Sequence, residues 1–204
     1  MPSGFDAALI PPSLDGLRGS EGARSWFDAL PRLVDECVEE WSIRIGDPYP
    51  GSHVSLVLPA ILPDATDAVL KIQFPHRECE HEAAALGVWN GDGAVRLLAH
   101  NAERHALLVE RCTPGSHLRE RGAEDALSVL IDLLPRLWKP TTGPIETLAR
   151  EAARWAVNLP QHWEDSGRPF ERELLDAAVN ALETLPSSQG EPVLLHQDLH
   201  PDNV

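Results

Sequence analysis

The sequence predicts an α+β fold in two lobes, and three observations predict it. Two-residue apolar alternation is confined to the front half, the back half has helical period, and the change falls near residue 112. Such segregation implies a sheet-containing lobe and a helical lobe with a cleft between them, where ligands prefer to bind. The first 20 residues, with Pro2, Pro11, Pro12 and scattered glycines, read as a loose lead-in. Trp26, Leu30, Leu33 and Val34 then stand at helical spacing, predicting an amphipathic helix from about Ser20 to Trp41.

After Trp41 the period shortens. Residues 41–46 alternate, 46–52 carry turn chemistry, and 53–62 read as extended before a turn at 63–67. Residues 68–74 form the next strand, which places Leu70, Ile72 and Phe74 on one face and Val69, Lys71 and Gln73 on the other. A helix is expected from about Glu78 to Trp89, with Glu82 on the same stripe as Ala85, Leu86 and Trp89. A carboxylate on an apolar stripe is costly unless it meets a cation, and Lys71 on the preceding strand is the nearest one. The other reading leaves Glu82 at the stripe's edge, in water. Residues 94–100 and 105–111 form a hairpin, the ThrProGly at 113–115 ends the extended pattern, and helices follow at about 123–138, 146–158 and 171–185. Pro135 should kink or shorten the first of these.

Composition narrows the function classes. The 204 residues, 43% apolar and 24% charged, suit a globular chain with one sizeable core or two small ones. No apolar run approaches the ~20 residues that span a bilayer, and the N-terminus lacks the basic start and apolar stretch of a signal peptide, so no membrane and a cytoplasmic location are expected. Cys37, Cys79 and Cys112 are far apart and outside any CxxC pair, which points to reduced thiols rather than a disulfide or zinc framework. A formal charge of −15 argues against nucleic acid as partner. It suits a cationic ligand, or simply solubility.

The chemistry concentrates in the last residues. A short strand, 193–195, runs into HisGlnAspLeuHisProAspAsn, 196–203. His196, Asp198 and Asn203 stand at the positions of a kinase catalytic loop, HxDLxxxxN, with Gln197 where protein kinases carry Arg. Phosphoryl transfer needs a carboxylate to accept the attacking hydroxyl's proton and an amide oxygen a few residues on to hold magnesium. Read instead as a metal cluster, HisGlnAspLeuHis lacks an obvious third partner, and His76 and His81 do not match the HExxH or HxxEH zinc patterns. The six tryptophans sit mostly at helical apolar positions, which favours core packing over a ligand box.

With these residues the chain resembles the protein-kinase-like superfamily, and within it the aminoglycoside/hydroxyurea antibiotic resistance kinases. The resemblance rests on AlaValLeuLysIleGlnPhePro (68–75), GluHisGluAlaAlaAlaLeu (80–86), GlyAlaValArgLeuLeuAlaHisAsn (93–101), LeuLeuValGluArg (107–111) followed by ProGly, and the terminal loop. It implies a bilobal protein-kinase-like α+β fold: lead-in 1–20, nucleotide-binding N-lobe 21–112, and a helical C-lobe 113–204 ending in the catalytic loop. It implies ATP and Mg2+ as cofactors. Lys71 would steady the α- and β-phosphates, with Glu82 as its helix partner. Asp198 would be the catalytic base, Asn203 a magnesium ligand, His196 a brace for the loop, and His200 a charge-stabilising group near the γ-phosphate. Val109, Glu110, Arg111 and Cys112 match the linker whose backbone would bond the adenine. The segment 51–55, ending at Ser55, lies where a phosphate-covering loop belongs, although it is not GxGxxG.

The family's second metal ligand, an aspartate some 15 to 20 residues past the catalytic Asn, falls beyond Val204. The expectation is a C-terminally truncated chain with little or no turnover. The implied function is ATP-dependent phosphorylation of an alcohol group on a small, cationic, hydroxylated acceptor such as an aminoglycoside. A metabolic sugar or amino-alcohol kinase of the same fold and a non-catalytic remnant stand as alternatives.

Overall fold

The computed structural model describes residues 4–141, 143 and 145–204. By packing, the chain divides into two compact units, Met1–Lys139 with Leu195–Val204, and Pro140–Leu194. The compact units therefore do not part at residue 112. The third long helix and the terminal loop both belong with the sheet.

In the larger unit, helix α1 (Ala23–Trp41) precedes strands β1 (Arg44–Ile45), β2 (Ser55–Ile61) and β3 (Asp67–Gln73). Helix α2 (Glu82–Trp89), the hairpin β4 (Leu97–Asn101) and β5 (Ala106–Glu110), and helix α3 (Ala123–Leu137) follow. The sheet is antiparallel throughout, in the order β1-β2-β3-β5-β4, so β3 is its central strand. Its register sets Leu58 opposite Leu70 and Leu70 opposite Leu108, one row of leucines across three strands. All three are buried, with Leu56 and Ile72 beside them, and Trp26, Leu30, Val34 and Cys37 of α1 complete this core. The alternation of β3 thus assigns Leu70 and Ile72 to the α1 side and Lys71 and Gln73 to the other. The helix is tied down at both ends: Trp26 Nε1 donates to the Gln73 carbonyl at 3.0 Å, and Arg104 in the hairpin turn reaches Glu36 at 2.8 Å and Glu40 at 2.6 Å.

Several expected elements shift. The lead-in is ordered over its described residues: 3₁₀ turns at Ala7–Leu9 and Pro12–Gly19 carry Leu14, fully buried, and Phe5, 8% exposed, into the core. Prolines and glycines suppress both apolar periods there, yet Leu14 and Phe5, with Ile10 and Leu17 partly buried against the same core, dock the segment. Pro2 lies outside the described residues. The helix expected from Glu78 begins as a 3₁₀ turn, Arg77–Cys79, and becomes α-helical only at Glu82. Pro135 sits in the last turn of α3, which ends two residues later. Burial pushes the Cys37 thiol up to about 11, and Cys79 is also raised by burial, while Cys112 is exposed.

The smaller unit holds α4 (Leu148–Asp165) and α5 (Arg172–Thr184), packed through Ala152, Ala156, Trp163 and Leu175. Helix α4 runs seven residues beyond its expected end, through Pro160. A bridge between Pro140 and Val193 closes the unit where the chain enters and leaves it. Of the tryptophans expected in cores, Trp26, Trp89 and Trp163 are buried, whereas Trp138 and Trp155 are about half exposed. No helix among the described residues is long and apolar enough to cross a membrane.

Candidate phosphoryl-transfer site

The first half of the site is built on β3 and α2. Lys71 Nζ donates to both oxygens of Glu82, at 2.7 and 2.8 Å. The two side chains are 28% and 30% exposed, so the pair is neither dry nor freely solvated. Glu82 is the first residue of α2, where the positive end of the helix dipole also favours a carboxylate. Leu86 and Trp89, on the same stripe, are buried. The paired reading of Glu82 is the one the structure shows. Gln73, two residues beyond Lys71 on the same face, donates to Glu82 Oε2 at 2.5 Å. Sequence reasoning gives Gln73 no role, although its shared face with Lys71 is the available signal.

The second half is the terminal loop, in the same compact unit. Gln197 has φ +63°, a left-handed conformation uncommon for a residue with a side chain, and Asp198 N–H donates back to the His196 carbonyl at 2.8 Å. That tight turn lifts Asp198 into solvent, its side chain 77% exposed. Backbone strain of this kind costs on the order of 1–3 kcal/mol and clusters at functional sites. Asn203 Nδ2 donates to the Asp198 carboxylate and carbonyl, both at 2.8 Å, which locks the two ends of the motif together. His200 is bound into the same loop: its Nδ1 accepts from Asp202 N–H at 3.2 Å, and its Nε2 lies 3.0 Å from Asn203 Nδ2 and 3.5 Å from Asp198 Oδ1. Residues 117–119 hold the loop from outside, Leu118 N–H to the Val204 carbonyl at 2.8 Å, Arg119 N–H to the Pro201 carbonyl at 3.2 Å, and Arg119 Nη1 to Asp202 at 2.7 Å.

His196 and Trp89 join the two halves. The His196 ring stacks on Trp89 at the end of α2, centroids 5.9 Å apart, and Trp89 Nε1 donates to the Leu137 carbonyl at 2.9 Å. The helix that begins at Glu82 therefore ends against the terminal loop. Trp89 is a second residue whose part sequence reasoning missed, since a stripe position says only that it is buried. His196 Nδ1 is buried without a hydrogen-bond partner among the described residues. Burial, foremost, holds the His196 pKa below its ordinary value near 6.5, with Asp198 and Glu82 opposing. The unfolded chain thus takes up this proton first. The stability His196 contributes is complete above about pH 6.5 and is lost as pH falls from there toward its lower folded pKa. Urea midpoints measured at pH 7.5 and 5.5 should fall less in His196→Phe, which keeps the stack, than in the parent; equal falls would contradict a buried neutral ring.

The remaining expected residues lie elsewhere on the sheet. Ser55 opens β2 directly opposite Gln73, on the same sheet face as Lys71, but at 2% exposure its hydroxyl is not open to a ligand. The exposed residues of that segment are 51, 53 and 54, and His53 Nδ1 lies 3.2 Å from the Ser13 carbonyl. Glu110 ends β5 opposite Ala68, with its N–H and carboxylate both engaged by the Arg96 backbone. Past it, Arg111 and Cys112 are exposed. Gly115, at φ +72°, turns the chain there, and a Cβ would meet the Cys112 carbonyl at 3.0 Å.

The donors suit magnesium held jointly with a nucleotide. With Nδ2 given to Asp198, the Asn203 amide turns its oxygen, a hard ligand, the other way. Among the described residues no three His, Cys, Asp or Glu side chains converge to hold a metal unaided.

An antiparallel sheet carrying a Lys–Glu pair, followed by an HxDLxxxxN loop, defines the protein-kinase-like α+β class. The chain belongs to the aminoglycoside/hydroxyurea antibiotic resistance kinase family, whose profile matches residues 40–204. It is 34% identical over 188 residues to streptomycin 6-kinase of Streptomyces griseus and 35% identical over 188 residues to that of Streptomyces glaucescens, in each case covering 91% of this chain and 61% of the relative. It is 35% identical over 190 residues to hydroxyurea phosphotransferase of Kitasatospora aureofaciens, covering 91% and 56%. The chain thus spans about three-fifths of the length of these curated relatives. No solved structure matches it significantly.

Proposed function

We propose that this chain carries the nucleotide-binding and phosphoryl-transfer residues of an ATP-dependent kinase that acts on an alcohol group of a small, cationic antibiotic such as streptomycin. The observation that carries the reading is the linkage of the Lys71–Glu82 pair to the Asp198–Asn203 loop through α2 and the Trp89–His196 stack, within one compact unit. Lys71 has three N–H groups and places two on Glu82, so one is left for a phosphate oxygen. Asp198, exposed and steadied by Asn203, takes the proton from the attacking hydroxyl as its oxygen bonds to the γ-phosphorus and ADP leaves. Magnesium, held by Asn203 Oδ1 and the phosphates, would neutralise charge on the leaving group. The formal charge of −15 favours a cationic acceptor, in keeping with the streptomycin named by two relatives.

Calorimetric titration of Mg-ATP tests this. The chain should bind Mg-ATP, and Lys71→Ala should weaken binding by roughly tenfold or more, the worth of a charge-assisted hydrogen bond of about 1.5–3 kcal/mol. Asp198→Ala, which removes the base and one of the bonds that orient Asn203 but no direct phosphate contact, should weaken binding less than Lys71→Ala. An intact chain that binds no Mg-ATP, or binding indifferent to Lys71→Ala, overturns the reading.

A further inference from the structure

Helix α2 is only eight residues long, too short to hold its own orientation, since isolated helices below about 12–15 residues are marginal. Its last residue is fixed by the Trp89 bonds. Its first is fixed by Glu82, and the usual reading of such a pair makes the lysine responsible. That assignment is incomplete. When a phosphate arrives, the Lys71 ammonium serves two anions from the end of a flexible four-carbon stem, so it does not by itself fix the orientation of Glu82.

We propose that Gln73 is a positioning residue that holds the Glu82 carboxylate independently of Lys71 and thereby keeps α2 docked, whether or not Lys71 is engaged elsewhere. The role of Lys71 in this inference rests on the function proposed above. The position of Gln73 does not.

Four observations support it. Gln73 is 4% exposed, and it and Ser55 are the two buried polar side chains among the described residues. Burying an amide without a partner is costly, and the partner its Nε2 meets is Glu82, at 2.5 Å. Its backbone is immobilised on both sides: the N–H donates to the His105 carbonyl at 2.9 Å, and its carbonyl accepts from Trp26 Nε1 at 3.0 Å. The strand position from which the Gln73 donor reaches Glu82 is therefore tied to α1 and to the hairpin. The carboxylate has room for both, because Lys71 contacts both oxygens and Gln73 adds one bond to Oε2.

Hydrogen–deuterium exchange of the α2 amides, read alongside Mg-ATP affinity, tests the proposal. Gln73→Met, which matches the length of glutamine and removes the donor, should raise exchange across residues 82–89 by about tenfold and weaken Mg-ATP severalfold. With Glu82→Ala already in place, Gln73→Met should change neither further. A merely space-filling role would give the same increment in both backgrounds. Unchanged exchange in Gln73→Met, or an equal increment in the Glu82→Ala background, overturns the proposal. If the intact chain binds no Mg-ATP while the exchange effects appear and depend on Glu82, the nucleotide reading fails and the positioning role of Gln73 stands.

Discussion

Trp89→Ala should destabilise the larger unit by about 3–5 kcal/mol, the range for truncating a buried tryptophan. The residue is 5% exposed, donates to the Leu137 carbonyl and stacks on His196, while its own carbonyl accepts from Lys139 Nζ at 3.1 Å. Removing the indole deletes packing from α2, the end of α3 and the terminal loop together. The loss should therefore be local in function as well as global in stability: amides of residues 196–203 should exchange faster, and Mg-ATP should bind more weakly than to the parent. Trp89→Phe separates the contributions. It keeps an aromatic face for His196 and loses one neutral hydrogen bond, so it should cost about 1–2 kcal/mol less than alanine and preserve loop protection. If Phe is as damaging as Ala, the Leu137 bond rather than the stack joins the elements. Denaturation by urea with exchange mass spectrometry reads both.

Leu70→Ala should cost about 2–5 kcal/mol, as a leucine truncated where its surroundings cannot collapse. Leu70 is fully buried on the central strand, with Leu58 and Leu108 opposite it on either side. The cavity would open beneath α1, on the sheet face away from Lys71 and Gln73. The urea midpoint should fall with little change in its slope, and surviving folded protein should retain the relative effect of Lys71→Ala on Mg-ATP affinity. A loss below about 1 kcal/mol would contradict the packing of that face. Loss of the lysine dependence at unchanged fold would mean the two faces are not separable.

Much of the site was legible in the chain order alone. The two-residue period of 68–74 put Lys71 opposite the core-facing leucine row, and the spacing of His196, Asp198 and Asn203 placed a carboxylate and an amide at one turn. The hairpin was legible because strand periodicity and a four-residue connection are local signals. The ordered lead-in was not, because Leu14 and Phe5 anchor a segment whose prolines erase periodicity. Nor was the grouping of α3 and the terminal loop with the sheet.

What the sequence determined by itself is what depends on neighbours a few residues apart: which face of β3 carries the lysine, where turns fall, and that a histidine, a carboxylate and an amide share one short loop. Tertiary structure alone decided that Gln73 meets Glu82, that His196 rests on Trp89, and that residues 117–119 grip the terminal loop. Those contacts join residues 9, 107 and more than 80 positions apart. No local period encodes them, because they exist only once the sheet and α2 have fixed the distances between distant parts of the chain.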